Sequence, residues 1–141
     1  MDISDDYRRG RHVVSALHVH LVFVTKYRRG VFDDAMLDAC ERTMRAVCDN
    51  FGARLVEFNG EDDHVHLLVE YPAKIAVSVL VNSLKGVSAR MLRAEFTGRV
   101  NRASTRGHFW SPSYFAVSAG GAPLALLHEY IEGQRRPAPI R

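Results

Sequence analysis

Two stretches of the chain carry an apolar residue at every second position, and this limits the fold more than any other feature. In SALHVHLVFVTK (15–26), Leu17, Val19, Leu21 and Phe23 fall on one side, and His18, His20, Val22 and Val24 on the other. In HVHLLVEY (64–71), Val65, Leu67, Val69 and Tyr71 fall on one side, and His64, His66, Leu68 and Glu70 on the other. Period two over this length, rich in valine, specifies β-strands. Alternate residues of a strand face opposite ways, so both histidine pairs point away from the apolar rows. From Asp33 the period changes: Met36, Leu37, Cys40, Met44, Val47, Cys48 and Phe51 recur at three and four. That spacing specifies a helix, with Asp33 or Asp34 to cap its start and Gly52 its end.

The remaining segments complete a pattern. ARLVEFN (53–59) reads as a short strand, GEDD as a turn and HVHLLVEY as the second arm of a hairpin. Residues 75–96 carry Leu80, Leu84, Val87, Met91 and Leu92 at helical spacing, interleaved with Lys85, Arg90 and Arg93. Gly86 costs that helix roughly 1 kcal/mol of propensity, which leaves room for a kink there. TGRVNRASTRGH (97–108) reads as a basic loop, and FWSPSYFAVSA (109–119) as a strand broken at Pro112. Gly120 and Gly121 mark a hinge, and APLALLHEYIEGQRR (122–136) a final helix opening on Pro123. The first six elements follow the split βαβ order. The expected class is α+β: a ferredoxin-like, RRM-like antiparallel sheet with helices on one face, plus a mobile C-terminal helix carrying Tyr130. A single domain over 1–141 is expected, with flexible ends at about 1–12 and 136–141.

Composition narrows the classes further. Hydrophobic residues at 47% and charged residues at 25% argue against disorder. The net charge of +3, with most of the acid before position 71 and most of the arginine after it or at the N-terminus, is compatible with a nucleic-acid partner. Cys40 and Cys48 lie too far apart along one helix to bridge each other. The N-terminus is polar, and no apolar run has the length of a membrane span. The expectation is a reduced, cytoplasmic protein.

Two groups of side chains bear chemistry. His64 and His66 share a strand face, with Cα atoms roughly 7 Å apart, and can converge on one divalent ion. Two ligands do not define a site, and the same spacing suits two histidines on a solvated face. His18 and His20 repeat the pattern, as a supporting layer or as sheet-surface histidines. On the final helix Tyr130 and Gln134 are four apart and share a side, next to a stripe of Leu124, Leu127 and Ile131.

HLVFVTKYRR, DDHVHLLVEY, VNSLKGVSARMLRAEF, FWSPSYF and HEYIEGQ occur in the order and spacing of the single-tyrosine HUH transposases. The chain resembles this IS200-like family of the IS200/IS605 insertion sequences over about residues 12–135. The resemblance implies that His64 and His66 bind a divalent metal, Mg²⁺ or Mn²⁺, joined by Gln134, and that Tyr130 is the nucleophile. The implied reaction cuts and rejoins single-stranded DNA through a 5′-phosphotyrosine. The implied partners are DNA hairpins near the element's ends and a second copy of the chain, whose tyrosine helix completes the metal site in trans. Two positions depart from the family pattern: Asp62, where a proline-like residue is common, and Gly133 within the tyrosine helix.

Other residues take expected roles around that core. Arg28 and Arg29 in the turn after the first strand, and Lys85, Arg90 and Arg93 on the second long helix, are expected phosphate contacts. Arg99, Arg102 and Arg106 join them in the loop. Phe109, Trp110 and Tyr114 can stack on unpaired bases, with core packing the stronger reading for Trp110. Gly120 and Gly121 would let the tyrosine helix move between sites. Four alternatives stay open: an RRM-like binding module without chemistry, a host-domesticated relative acting on repeated palindromes, a replication-initiator or relaxase-type nuclease, and a small metallohydrolase using His18, His20, His64 and His66.

Overall fold

A computed structural model describes residues 8–9, 14–15, 17–103, 107–118 and 124–134. In chain order the elements are β1 (Arg8–Arg9), β2 (Val14–Ser15), β3 (Leu17–Val24), a 3₁₀ turn (Lys26–Arg28), α1 (Asp34–Asn50), β4 (Arg54–Gly60) and β5 (His64–Tyr71). They continue with α2 (Val77–Glu95), α3 (Thr97–Arg102), β6 (Phe115–Ser118) and α4 (Leu124–Gly133).

The main sheet has the order β4-β5-β3-β6 and is antiparallel at every pairing. The two alternating stretches are its central strands, paired from Leu17 opposite Tyr71 to Val24 opposite His64. This is the ferredoxin-like arrangement that the element order specifies. Leu21, Phe23, Val65, Leu67 and Val69 are fully buried on one face, beneath Met36, Cys40 and Met44 of α1 and Leu80, Leu84 and Leu92 of α2. Asp33 caps α1 by accepting the Met36 amide at 2.9 Å, an interaction typically worth about 1 kcal/mol.

Three elements differ from the sequence expectation. α2 runs unbroken through Gly86, because Leu80, Val81, Leu84, Ser88 and Leu92 bury one continuous stripe across that position. Tertiary packing of that stripe outweighs the local cost of glycine. The expected basic loop contains α3, which Val100 anchors in the core. Of the expected strand 109–119, only Phe115–Ser118 joins the sheet, while Trp110 makes a single bridge to Thr25. Pro112 offers no N–H to a ladder. Trp110 instead turns inward, donating its indole N–H to Ser88 Oγ at 3.0 Å and packing on Phe23, Phe32 and Phe109. Phe109 and Trp110 are thus core residues, and Tyr114 stays exposed.

Within the expected N-terminal arm, β1 and β2 pair with each other. The rest of the expected flexible ends, and the hinge at Gly120 and Gly121, lie outside the described residues. Among the described residues no helix is long and apolar enough to cross a membrane. Cys40 and Cys48 are free and buried, and burial pushes their thiols up to about 12 and about 11.

Candidate active site

The sheet face opposite α1 and α2 collects the polar half of both central strands. His64 and His66 are partly buried there. His64 Nδ1 lies 2.8 Å from Asp63 Oδ1, so its Nε2 is the nitrogen left to act as a ligand. Asp63 is 2% exposed, and its other oxygen accepts from Arg28 Nε at 2.9 Å. Arg28 reaches it from a tight turn in which Tyr27 and Arg28 both have positive φ, 59° and 54°. Left-handed backbone costs a non-glycine residue about 1–2 kcal/mol. Thr25 offsets this, donating its hydroxyl to the Arg29 carbonyl at 2.7 Å and its amide to the Asp63 carbonyl at 2.9 Å.

Ligand atoms of Glu61, Asp63 and His64 lie within 4.8 Å of one another, a grouping compatible with a divalent metal. Asp63 is already engaged by both Arg28 and His64, so within this group it orients the imidazole. In the sequence Asp63 reads only as part of a turn. An acid directly preceding the first histidine is its one visible signal.

His66 is held differently. Its Nε2 lies 2.9 Å from His20 Nδ1, with the two rings stacked at 5.1 Å. Burial lowers the His66 pKa, and the neighbouring His20 and His64 add to that, against an opposing pull from Glu57. The shift favours the neutral imidazole, the form able to act as a metal ligand. His20 belongs to the supporting layer.

α4 covers the same face. Val22 and Val24 form a small buried cluster with Phe115, Tyr130 and Ile131. Val24 is the cross-strand partner of His64 and Val22 that of His66, so α4 lies alongside the histidine pair. The Tyr130 ring sits 5.5 Å from Phe115, and its Oη is 3.0 Å from Ser113 Oγ. Burial raises the Tyr130 pKa, and the Ser113 bond partly counters it. Gln134 Oε1 accepts from Ser111 Oγ at 3.3 Å. The structure thus brings Tyr130, Gln134, His64 and His66 to one face, with α4 resting on the sheet of its own chain. Ser111 and Ser113 carry no expectation from the sequence, where only the SPS spacing marks them.

The family pattern described as "Transposase IS200 like" matches residues 13–134. This chain belongs to the IS200-like transposase family. The ISDra2 transposase TnpA of Deinococcus radiodurans is 29% identical over 129 residues, covering 92% of this chain and 91% of that protein. The transposase for insertion sequence element IS200 of Salmonella typhimurium is 34% identical over 115 residues, covering 82% of this chain and 74% of its own. A crystal structure of a Deinococcus radiodurans transposase superposes with a TM-score of 0.86 at 31% identity, covering 92% of this chain and 99% of the other. A REP-associated tyrosine transposase bound to a REP hairpin shares the fold, with a TM-score of 0.57 at 10% identity over 86% of this chain and 67% of that one. Membership in an IS200-like transposase family implies DNA cleavage and strand transfer.

Within this IS200-like transposase the basic residues divide into two groups. Several hold the protein's own atoms: Arg28 on Asp63, Lys85 on the Ser111 carbonyl at 2.7 Å, Arg93 on the Gly107 carbonyl at 2.6 Å, and Arg99 on the Val31 carbonyl. Arg28 also reaches Glu132 of α4 at 3.6 Å. Arg29 is partly buried, with its guanidinium 5.9 Å from the Tyr27 ring. Arg90 and Arg102 are exposed, and Arg106 lies outside the described residues.

Proposed function

We propose that this transposase cuts and rejoins single-stranded DNA at insertion-sequence ends, with Tyr130 as the nucleophile of a single-tyrosine HUH endonuclease. The observation that carries this reading is that Tyr130, packed on Val22 and Val24, lies on the same sheet face as their cross-strand partners His66 and His64, with Gln134 four residues further along the chain. A phenol, an amide and two imidazoles on one face match the needs of phosphodiester transfer better than those of a passive binding face. An RRM-like module would keep that face open for bases, and here α4 covers part of it.

The side chains fit a divalent metal. His64 presents Nε2 because Asp63 takes Nδ1, burial favours the neutral form of His66, and Gln134 is an uncharged oxygen donor. Two imidazoles and one amide leave coordination positions open, as Mg²⁺ or Mn²⁺ requires. When bound, such an ion acts as a Lewis acid on the scissile phosphate.

The chain's own residues do the rest. Tyr130 Oη forms the bond to phosphorus as the bond to the 3′ oxygen breaks, and the phenolic proton ends on that oxygen. The product pair is a 5′-phosphotyrosine and a free 3′ hydroxyl, so the energy of the cleaved bond is kept. Attack by the 3′ hydroxyl of another strand reverses the step and returns the proton to Tyr130. Ser113 orients the phenol, and burial, by raising its pKa, holds it more firmly in the protonated form that tyrosine already has at neutral pH. DNA hairpins near the element's ends are the proposed substrates, a reading supported by the hairpin bound to the REP-associated relative. Arg90 and Arg29 are proposed phosphate contacts. The proposed assembly is a homodimer in which α4 crosses to its partner on the hinge at Gly120 and Gly121.

Covalent trapping tests this reading. The protein is incubated with labelled single-stranded DNA from the flanks of its own gene and Mg²⁺ or Mn²⁺, then separated under denaturing conditions. A metal-dependent protein–DNA band is expected, absent in Tyr130→Phe and His64→Ala. Tight hairpin binding with no covalent band from any flank would sink it in favour of the binding module.

A further inference from the structure

Lys85 extends from α2, a helix that packs on the opposite face of the sheet from the histidines. Its ammonium nevertheless ends at the segment beneath the tyrosine helix. Nζ lies 2.7 Å from the Ser111 carbonyl, 3.3 Å from that of Pro112 and 3.5 Å from that of Ser113. Three carbonyls match the three donors of an ammonium. The Tyr114 ring adds a cation–π contact at 5.9 Å. Partial burial lowers the Lys85 pKa, a cost that the carbonyl contacts to its charged form oppose.

The segment is gripped elsewhere too. Trp110 donates to Ser88 Oγ, three residues along α2 from Lys85, and the Ser111 amide donates to the Val24 carbonyl at 2.7 Å. So fastened, residues 111–113 turn two hydroxyls toward α4: Ser113 meets Tyr130 and Ser111 meets Gln134. Among the described residues, the serines are the side-chain hydrogen-bond partners of these two polar groups.

We propose that Lys85 is a positioning residue for the nucleophile: it fixes the serine-bearing segment on which the tyrosine helix docks. This rests on the reading of Tyr130 as nucleophile, and it gives Lys85 a role distinct from a phosphate contact. A phosphate-contacting lysine sets affinity and salt dependence. A positioning lysine sets the rate within the bound complex, where a misplacement of about 1 Å costs on the order of 100-fold.

The test uses the full chain with labelled single-stranded DNA from its own flanks and Mn²⁺. Single-turnover adduct formation at saturating DNA, DNA affinity across a salt series, and hydrogen exchange of amides 124–134 are measured for wild type, Lys85→Met, Lys85→Arg and Ser113→Ala. Lys85→Met should slow adduct formation about 10- to 100-fold, leave affinity and salt slope unchanged, and speed exchange in 124–134. Lys85→Arg should recover part of the rate, because a guanidinium also donates to carbonyls. A wild-type rate in Lys85→Met overturns the proposal. So does a loss of affinity with a salt slope shallower by about 0.7, the signature of one lost phosphate contact on a single strand. If Lys85→Met does not fold, Ser113→Ala decides: adduct formation slowed about tenfold at unchanged affinity supports the docking segment, and a wild-type rate overturns it. If wild type itself forms no adduct, the nucleophile reading fails, and exchange alone judges Lys85: faster exchange in 124–134 keeps it as the anchor of α4, and unchanged exchange removes it.

Discussion

The two faces of the central sheet are made by the same two strands and are built on different terms. Under α1 and α2, Leu21, Phe23, Val65, Leu67 and Val69 have no exposure at all. On the other side His20, His64, His66 and Tyr130 are partly buried, and Val22 and Val24 make a small buried apolar cluster with Phe115 and Ile131 packed against it. The first face is held by area removed from water, which is non-directional and tolerant of exchange among apolar residues. The second is held by pairwise bonds: His64 to Asp63, His66 to His20, Tyr130 to Ser113. A site can afford that arrangement only because the opposite face supplies the stability.

Neighbours on β5 offer the sharpest way to break this contrast. Leu67→Ala should cost about 2–5 kcal/mol, whereas Leu68→Ala, one residue on and facing the site, should cost roughly 1 kcal/mol or less. Urea melts of the two variants check this, and equal losses would show that the faces do not differ as described. Asp63→Asn comes next. It removes the carboxylate that orients His64, so Mn²⁺ affinity measured calorimetrically should fall about 10- to 100-fold.

A pH series sharpens the contrast on the site side. The folded pKa of His66 is lowered, with burial the main cause, so as pH falls below about 6.5 the unfolded chain takes up this proton first. Stability contributed here is full above that value and declines as pH drops through the folded pKa. His66→Gln should flatten this part of the profile of denaturation midpoint against pH, and an unchanged slope would assign the decline to another group. The smallest effect is on the core side. Cys40 and Cys48, with thiols raised to about 12 and about 11, should resist a thiol reagent at pH 8 until denaturant is added. Rapid labelling of the native chain would show the α1 face to be open.

How much of this is legible in the sequence depends on the range of the interaction. The alternation at 17–24 and 64–71 depends on nearest neighbours, and it marks both faces of the sheet on its own. Tyr130 and Gln134 are legible as a pair because four positions separate them, although α4 ends at Gly133 and Gln134 follows it. Asp63 is not, since its burial depends on Arg28, 35 positions away, arriving through a left-handed turn that no propensity forecasts. Lys85 reads as a surface cation at helical spacing, and its carbonyl partners lie 26 to 28 positions further along. The kink that Gly86 would allow does not interrupt α2, because a stripe of five buried residues outweighs one local preference.

The surface that receives α4 is built from β3, β6 and residues 111–113, none of which belong to the helix itself. A tyrosine helix from a second copy would meet the same two serines and the same two valines. Contact energy therefore cannot distinguish resident from visitor, and occupancy is decided by local concentration. Six peptide steps from Ser118 to Leu124 reach at most roughly 20 Å, and a tether that short holds its own helix at an effective concentration in the millimolar range. At ten residues, α4 is also shorter than the roughly 12–15 below which an isolated helix is marginal in water, so in the proposed passage between subunits the helix could melt and re-form. In the proposed dimer, tether length would thereby govern how often Tyr130 leaves its own sheet, without any change to an atom that touches DNA.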